Sequence, residues 1–343
     1  MRPSTYEPIL IVGAGPIGLA CAISARRRGL DPLVVDAGAV ANSIVRYPVG
    51  MVFFTTPERL EIGGHPLVCA GAKPTREEAL KYYRGVTRTE ALRVSPYLKL
   101  ISAARRDGRI DCELHSPHGP AASSCDRLVL ATGYFDHANH LDVPGEDLPH
   151  VSHYFDEAHR SFGLDVVVIG GKNSAAEAAL QLFRAGARVT LVYRGTQFPR
   201  SVKYWLKPDL ENRIKAGEIA ARLGATVEEI TARDVGIRRA DGASERLPAD
   251  RVYALTGFHP DLGLFGRIGI TYDSTTGRPS VDPETLETSV VGVHLAGSVT
   301  AGHQISEIFI ENGRFDGEKI FGDPPARAAA QARYAGIDRP PGE

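Results

Sequence analysis

Ile9-Leu10-Ile11-Val12-Gly13-Ala14-Gly15-Pro16-Ile17-Gly18 decides how this chain folds. A four-residue apolar run ends on glycine, and the spacing Gly13-x-Gly15-x-x-Gly18 comes next. The first glycine permits a tight turn, the second lets an anionic group approach the backbone, and the third lets a helix pack close on its strand. Pro16 to Arg28 then carries helical periodicity, Asp31-Pro32 turns the chain, and Leu33-Val34-Val35 forms a second apolar run closing on Asp36. The unit reads as strand, helix, strand. A glycine triplet alone is a weak signal, because any loop can need glycine. Here the flanking strand, the helix and the terminal acid are all present, which predicts a dinucleotide fold. Its helix N-terminus would face a pyrophosphate with free N–H groups and the positive end of the dipole, and Asp36 would accept from a ribose hydroxyl.

The same grammar returns further on. Asp165-Val166-Val167-Val168-Ile169 leads into Gly170-Gly171-Lys172-Asn173-Ser174-Ala175, a helix from about Ser174 to Ala185, a stop at Gly186 and a strand from Arg188 to Tyr193. Lysine stands at the second fingerprint position and alanine at the third, so this turn is less regular. Its second strand ends in Tyr193-Arg194 instead of an acid, with Arg200 and Lys203 close behind. Cations there suit a 2′-phosphate better than a free ribose hydroxyl, which points to NADPH over NADH. A solvated basic loop is the competing reading for Arg200 and Lys203.

Three more apolar strands each end in glycine: Leu128 to Gly133 through Ala131-Thr132, Val252 to Gly257, and Gly292 to Gly297. They read as parallel strands with cofactor-facing ends, the last preceding a helix expected near His303. The chain has 343 residues, 43% hydrophobic and 24% charged, which suits two α/β domains. Lys plus Arg total 40 against 41 for Asp plus Glu, so the net charge of −1 gives no footprint for nucleic acid. Met1 to Pro8 lacks the features of a leader and no apolar run is long enough to span a bilayer, so a cytoplasmic protein without membrane contact is expected. Cys21, Cys69, Cys112 and Cys125 lie far apart with no Cys-x-x-Cys. The histidines from His137 to His159 show no helical spacing of the H-E-x-x-H kind, so no metal site is expected.

With both turns in place the chain resembles the thioredoxin-reductase-like flavoproteins of the pyridine nucleotide-disulfide oxidoreductase superfamily, and more narrowly the bacillithiol-disulfide reductases. The resemblance runs through Asn42 to Pro48, Thr56 to Gly64, Lys73 to Arg84, Lys203 to Lys215, Leu255 to Asp261 and Glu311 to Gly317, nearly the whole chain to about Gly322. It implies two Rossmann-like three-layer α/β domains, with an NADPH domain (137–260) inserted in a discontinuous FAD domain (1–136 and 261–325). Residues 326–343, rich in Pro and Ala, read as a mobile tail. For FAD it implies Gly13, Gly15, Pro16, Ile17, Gly18, Asp36 and Ala37 at the dinucleotide end. Asn42, Ser43 and Tyr47 would lie along the flavin, Gly297 and Ser298 nearer the ribityl and phosphates, and Gln304 and Ile305 in a helix aimed at the isoalloxazine, with Thr132 and Gly133 also in the FAD site. For NADPH it implies Gly170, Gly171, Lys172, Asn173, Ser174 and Ala175, with Tyr193, Arg194, Arg200, Lys203 and Gly257. Relatives of this kind are usually homodimers.

The route of electrons out of the reduced flavin is less fixed. Thioredoxin reductases use a Cys-x-x-Cys pair, because a thiolate exchanges with disulfides, and this chain has none. Bacillithiol-disulfide reductases typically carry cysteine within the first glycine turn, where this chain has Ile17, and superfamily members commonly have Gly-Asp where it has Gly297-Ser298. Cys21 reads as a helix-packing residue, Cys69 as the one cysteine to test, and the catalytic residues stay unassigned. The Phe-x-Gly-x-x-x-His stretch of flavin monooxygenases is absent between His153 and Gly163. The expected chemistry is hydride transfer from NADPH to flavin N5, then electron transfer to a low-molecular-weight disulfide. The alternatives are a ferredoxin or flavodoxin as acceptor and, in a different class, a non-catalytic flavin-bound redox sensor.

Overall fold

The structure is a computed structural model that describes residues 5–304 and 307–335. The described residues divide into two units: the first takes those up to Arg46, Gly50–His137 and those from Phe258 on, and the second takes Tyr47–Val49 and Ala138–Gly257. The later boundary falls before Phe258 and not, as expected, after Pro260. His259 N donates to His137 O at 2.9 Å and the Phe258 ring lies 4.5 Å from that of Phe135, which holds these residues in the first unit. Tyr47, expected beside the flavin, groups with the second unit.

In the first unit, strand Ile9–Val12 is the middle of a five-stranded parallel sheet ordered Val293–Leu295, Arg127–Leu130, Ile9–Val12, Leu33–Val35, Arg93–Ser95. Side chains alternate along a strand, so Ile9 and Ile11 face one layer while Leu10 and Val12 face the other. The first layer is helix Pro16–Arg26, through Cys21, Ala22 and Ala25, with Ile320 and Phe321 of helix Asp316–Phe321. The second is an antiparallel sheet of Lys99–Arg106, Arg109–Ser116 and Gly119–Cys125, with Leu100, Ile110 and Leu114 pointing inward. Burial on both faces is why the central strand is an unbroken apolar run.

The second unit repeats the plan. Its parallel sheet is ordered Ala220–Leu223, Arg188–Tyr193, Asp165–Ile169, Arg251–Ala254, Val151–Ser152. Val166 and Val168 meet helix Asn173–Arg184, while Val167 and Ile169 meet an antiparallel sheet of Thr226–Ile230, Asp234–Arg238 and Ser244–Pro248. The helix buries Ala175, Ala176, Ala178 and Ala179, whose small side chains let it sit close, and Leu180 and Leu182, each worth roughly 1.5–3 kcal/mol in removal from water.

Two expectations need correction. Residues 326–335 are not a mobile tail but the body of helix Pro324–Ala335, with Ala330 buried and Arg327 Nε donating to Lys319 O at 3.0 Å. Proline suits the first helical turn and the alanine run has high helix propensity, so the same composition favours order. Residues 336–343 lie outside the described residues. The helix expected near His303 is also displaced: Gly297–Ala301 is a 3₁₀ turn and α-helix resumes at Ile310–Gly313. Asn312 fixes that start, its Oδ1 accepting from Phe309 N at 2.8 Å and its Nδ2 donating to Glu307 O at 2.9 Å. No helix among the described residues is long and apolar enough to cross a membrane.

Candidate cofactor sites

The first turn has room where a ligand would need it and none elsewhere. Gly13 adopts φ +111°, and a Cβ there would stand 2.3 Å from Ala131 O; a Cβ on Gly18 would stand 1.8 Å from Gly13 O. A Cβ on Gly15 would meet nothing within 4 Å, so that glycine is not demanded by protein packing. No side chain caps helix Pro16–Arg26, and Leu19 N is bonded back to Gly15 O at 3.0 Å, which leaves the N–H groups of Ile17 and Gly18 at the free end. An uncapped helix end beside an open glycine fits a pyrophosphate.

Asp36 closes the turn. Its Oδ2 accepts from Ala14 N at 2.6 Å and its Oδ1 from Gly38 N at 2.7 Å, so each oxygen keeps a lone pair for a further donor. Burial raises its pKa, and the two backbone N–H groups work against that rise. Ala37 is the next residue, and Asn42 lies across the loop, its side chain filling the space a Cβ on Gly38 would need. Asn42 and Ser43 open the short helix Asn42–Val45, anchored where Ala41 N donates to Ala14 O at 2.9 Å.

The far strand ends converge on the same side of the sheet. Thr132 and Gly133 come just after Arg127–Leu130, and a Cβ on Gly133 would lie 3.7 Å from Ser298 Oγ. Gly297 N donates to Asp316 Oδ2 at 2.7 Å. Asp316 is buried, which lifts its carboxyl to about 7 against the pull of the Gly297 N–H and of Lys319. Sequence reasoning does not single out this buried acid, although it lies in the Glu311 to Gly317 stretch; nothing in spacing marks an acid as buried. Gln304 is exposed and accepts from Arg278 Nη2 at 3.2 Å, and Ile305 lies outside the described residues.

The second turn repeats the pattern. Gly170 adopts φ +140° with a Cβ position 2.5 Å from Leu255 O, matching Gly13 over Ala131. Helix Asn173–Arg184 has no side-chain cap, so the N–H groups of Asn173, Ser174 and Ala175 serve as Ile17 and Gly18 do. Tyr193 covers Gly171, where a Cβ would lie 2.4 Å from its ring, and stacks on Phe198 at 6.3 Å. Asn173 ties the turn to the basic loop: its Nδ2 donates to Ser201 O at 3.2 Å and its Oδ1 accepts from Lys203 N at 2.9 Å. Lys172, Arg194 and Arg200 are exposed, and Arg194 and Arg200 have no carboxylate at ion-pair distance among the described residues. The Lys203 ammonium lies 5.3 Å over the Trp205 ring. Gly257, at φ +99°, is braced by Asn139, whose N donates to Gly257 O at 2.9 Å and whose Nδ2 donates to Thr256 O at 3.2 Å.

The surroundings of Cys21, Cys69 and Cys125 each push the thiol pKa upward. Cys21 is fully buried under Gly317, and burial pushes its thiol well up, with Asp316 and Glu318 adding to the rise. Cys69 donates to Gly71 O at 3.1 Å, and desolvation with the Glu78 and Glu58 carboxylates raises its thiol. Cys112 and Cys125 face each other at 3.9 Å inside the antiparallel sheet, where the Cys112 thiol and burial push Cys125 upward.

The family described as pyridine nucleotide-disulphide oxidoreductase matches residues 10–297. The chain belongs to that family. It is similar to bacilliredoxin reductase Bdr of Bacillus subtilis, at 43% identity over 92% of this chain and 96% of that protein. Among solved structures it is similar to bacillithiol disulfide reductase Bdr from Bacillus cereus, with TM-score 0.90 and 40% identity over 95% of this chain and 99% of the other. The corresponding enzyme from Staphylococcus aureus has TM-score 0.88 and 36% identity over 98% and 100%. As a member of this family the protein is an NADPH-dependent flavoprotein oxidoreductase with FAD and NADPH as cofactors, built on the thioredoxin-reductase-like α/β plan.

Proposed function

We propose that this flavoprotein reduces a low-molecular-weight disulfide of the bacillithiol type with electrons from NADPH. The observation that carries the reading is the 43% identity to bacilliredoxin reductase Bdr across nearly all of both chains. FAD would lie on the Gly13–Gly18 turn with its ribose at Asp36. Gly133, Gly297 and Ser298 would line its middle, and Asn42, Ser43, Tyr47 and Gln304 its flavin end. NADPH would lie on Gly170–Ala175, with Arg194, Arg200 and Lys203 around the 2′-phosphate. When bound, the flavin supplies an N5 that takes hydride from NADPH C4. The chain's part is to hold both dinucleotides by backbone N–H groups and, for NADPH, by exposed cations beside the second turn. The protein would work in the cytoplasm as a homodimer.

A second reading, a ferredoxin or flavodoxin as acceptor, is favoured by Ile17, which offers no thiol at the first turn. Anaerobic NADPH should bleach the flavin, and steady-state turnover should be fastest with bacillithiol disulfide, slower with ferredoxin and flavodoxin, and unchanged in Cys69→Ser. Turnover with ferredoxin alone would select the second reading.

A further inference from the structure

The Ala138–Gly257 unit gathers His140, Glu146 and His153, whose ligand atoms all lie within 4.8 Å of one another. Glu146 Oε1 is 3.5 Å from His140 Nδ1 and 3.3 Å from His153 Nε2. Zinc binds nitrogen and oxygen at about 2.0–2.1 Å in a tetrahedron, whose ligand-to-ligand edges are then about 3.3–3.4 Å. The His153 distance matches such an edge and the His140 distance exceeds it by about 0.1 Å.

The side chains are held in place before any ligand arrives. Glu146 is buried, its Oε1 accepting from Leu141 N at 2.7 Å and its Oε2 from Asp142 N at 2.9 Å. The turn at Val143-Pro144-Gly145 is fixed by contact, a Cβ on Gly145 standing 1.8 Å from Ile230 O. Strand Val151–Ser152 pairs with Val252 and Tyr253, and the next residue, His153, sets its Nδ1 3.2 Å from Ala254 O. A carbonyl only accepts, so Nδ1 carries a proton, and Nε2 is turned toward Glu146. Two acceptors at 3.3 Å repel unless a metal ion or a proton lies between them. A carbonyl behind a histidine and a carboxylate in front of it is the arrangement that orients metal-binding imidazoles. A second proton on His153 would relieve the same repulsion. The same oxygen also faces Nδ1 of His140, whose ring lies 5.0 Å from that of His153, so both imidazoles converge on it.

We propose that His140, Glu146 and His153 form a three-ligand site for a divalent transition-metal ion, Zn²⁺ fitting best, with a fourth position open on the exposed His140 side. The ion would staple the turn after Ala138 to the strand end at Ala254. The sequence concealed it because the ligands come from a turn and a strand end, not from one helical face.

The test uses tag-free, chelator-treated, FAD-loaded enzyme titrated with Zn²⁺ alone against a chromophoric chelator. The expected result is one tight equivalent per chain and a rise in thermal midpoint. His140→Ala and His153→Gln should each weaken binding at least about tenfold, since even the outer partners of ligands cost 10–100-fold. His140 is exposed, so its alanine variant should keep the wild-type flavin content and metal-free melting temperature, and Co²⁺ in the wild type should give the visible bands of a four-coordinate site. Absence of stoichiometric Zn²⁺ binding, or equal binding in both variants, overturns the proposal and leaves His153 and Glu146 as a protonated ion pair.

Discussion

Ile17 is seated against Gly297: at φ +77°, a Cβ on residue 297 would lie 2.9 Å from Ile17 Cγ1, and one on Gly313 would lie 3.0 Å from Ile17 Cδ1. Two glycines thus make room for one branched side chain in the first turn. The cost of filling that room should differ between them. Gly297→Ala combines a left-handed backbone with overlap at the stiff base of the isoleucine, whereas Gly313→Ala, from within a helix, meets the flexible end of Ile17 at 3.0 Å and the Gly297 Cα at a milder 3.2 Å. We expect Gly297→Ala to lose about 2–3 kcal/mol and Gly313→Ala about 1 kcal/mol or less in denaturant unfolding. Adding Ile17→Ala to Gly297→Ala should recover the overlap part and leave the backbone part. Independent, additive effects would show that the contact is not the cause.

The glycines of the first turn separate folding from binding. Gly18→Ala drives a Cβ into Gly13 O and should give little folded protein. Gly15→Ala meets nothing within 4 Å and should fold with an unchanged apoprotein melting temperature. If the pyrophosphate lies over Gly15, that methyl should weaken FAD binding at least about tenfold, a change of about 1.4 kcal/mol. Flavin fluorescence titration of the wild-type and Gly15→Ala apoproteins measures this. Equal FAD affinity in the two would place the pyrophosphate elsewhere.

Much of the fold is legible in the sequence because the parallel strands are buried on both faces. Ile9–Val12 and Asp165–Ile169 are unbroken apolar runs, and the glycines after them are required by the neighbouring carbonyls of Ala131 and Leu255. The residues that sequence reading misses act through contacts remote in sequence. Asp316 matters because Gly297 comes to it across 19 positions, and Asn139 because it braces Gly257 across more than a hundred. No helix begins at His303 because Gly302 turns there against Thr276 O, 2.3 Å from its would-be Cβ, while the true start is set by Asn312. Alanine and proline after Phe321 suggest disorder by composition, yet the same residues are good helix material once Ala330 has a surface to pack on.

Coenzyme choice should rest on Arg194. It is exposed at the end of strand Arg188–Tyr193 and unpaired with any carboxylate among the described residues, so its charge is free for an incoming phosphate. Arg194→Ala should raise the KM for NADPH about tenfold, the size of one charge-assisted contact, and leave that for NADH within about twofold. Arg200→Ala should act in the same direction more weakly. The comparison of the two coenzymes is the measurement, and parallel losses for both would refute a 2′-phosphate role.

Asp316 should make stability depend on pH. Its carboxyl is raised from 3.8 to about 7 by burial, so in the folded protein it stays protonated between those values while the unfolded chain releases the proton. The unfolded state then binds fewer protons, and stability falls as pH rises from about 4 to about 7, levelling off above. The three-unit shift corresponds to about 4 kcal/mol, an upper figure for one group. Asn at this position keeps an oxygen for the Gly297 N–H and carries no charge, so Asp316→Asn should remove most of that slope. Denaturant midpoints of the holoenzyme at pH 5 and pH 8 test it: the wild type should lose stability between them and the variant much less. A wild-type protein that gains stability over that interval, with Asp316→Asn gaining equally, would assign the titration to other groups.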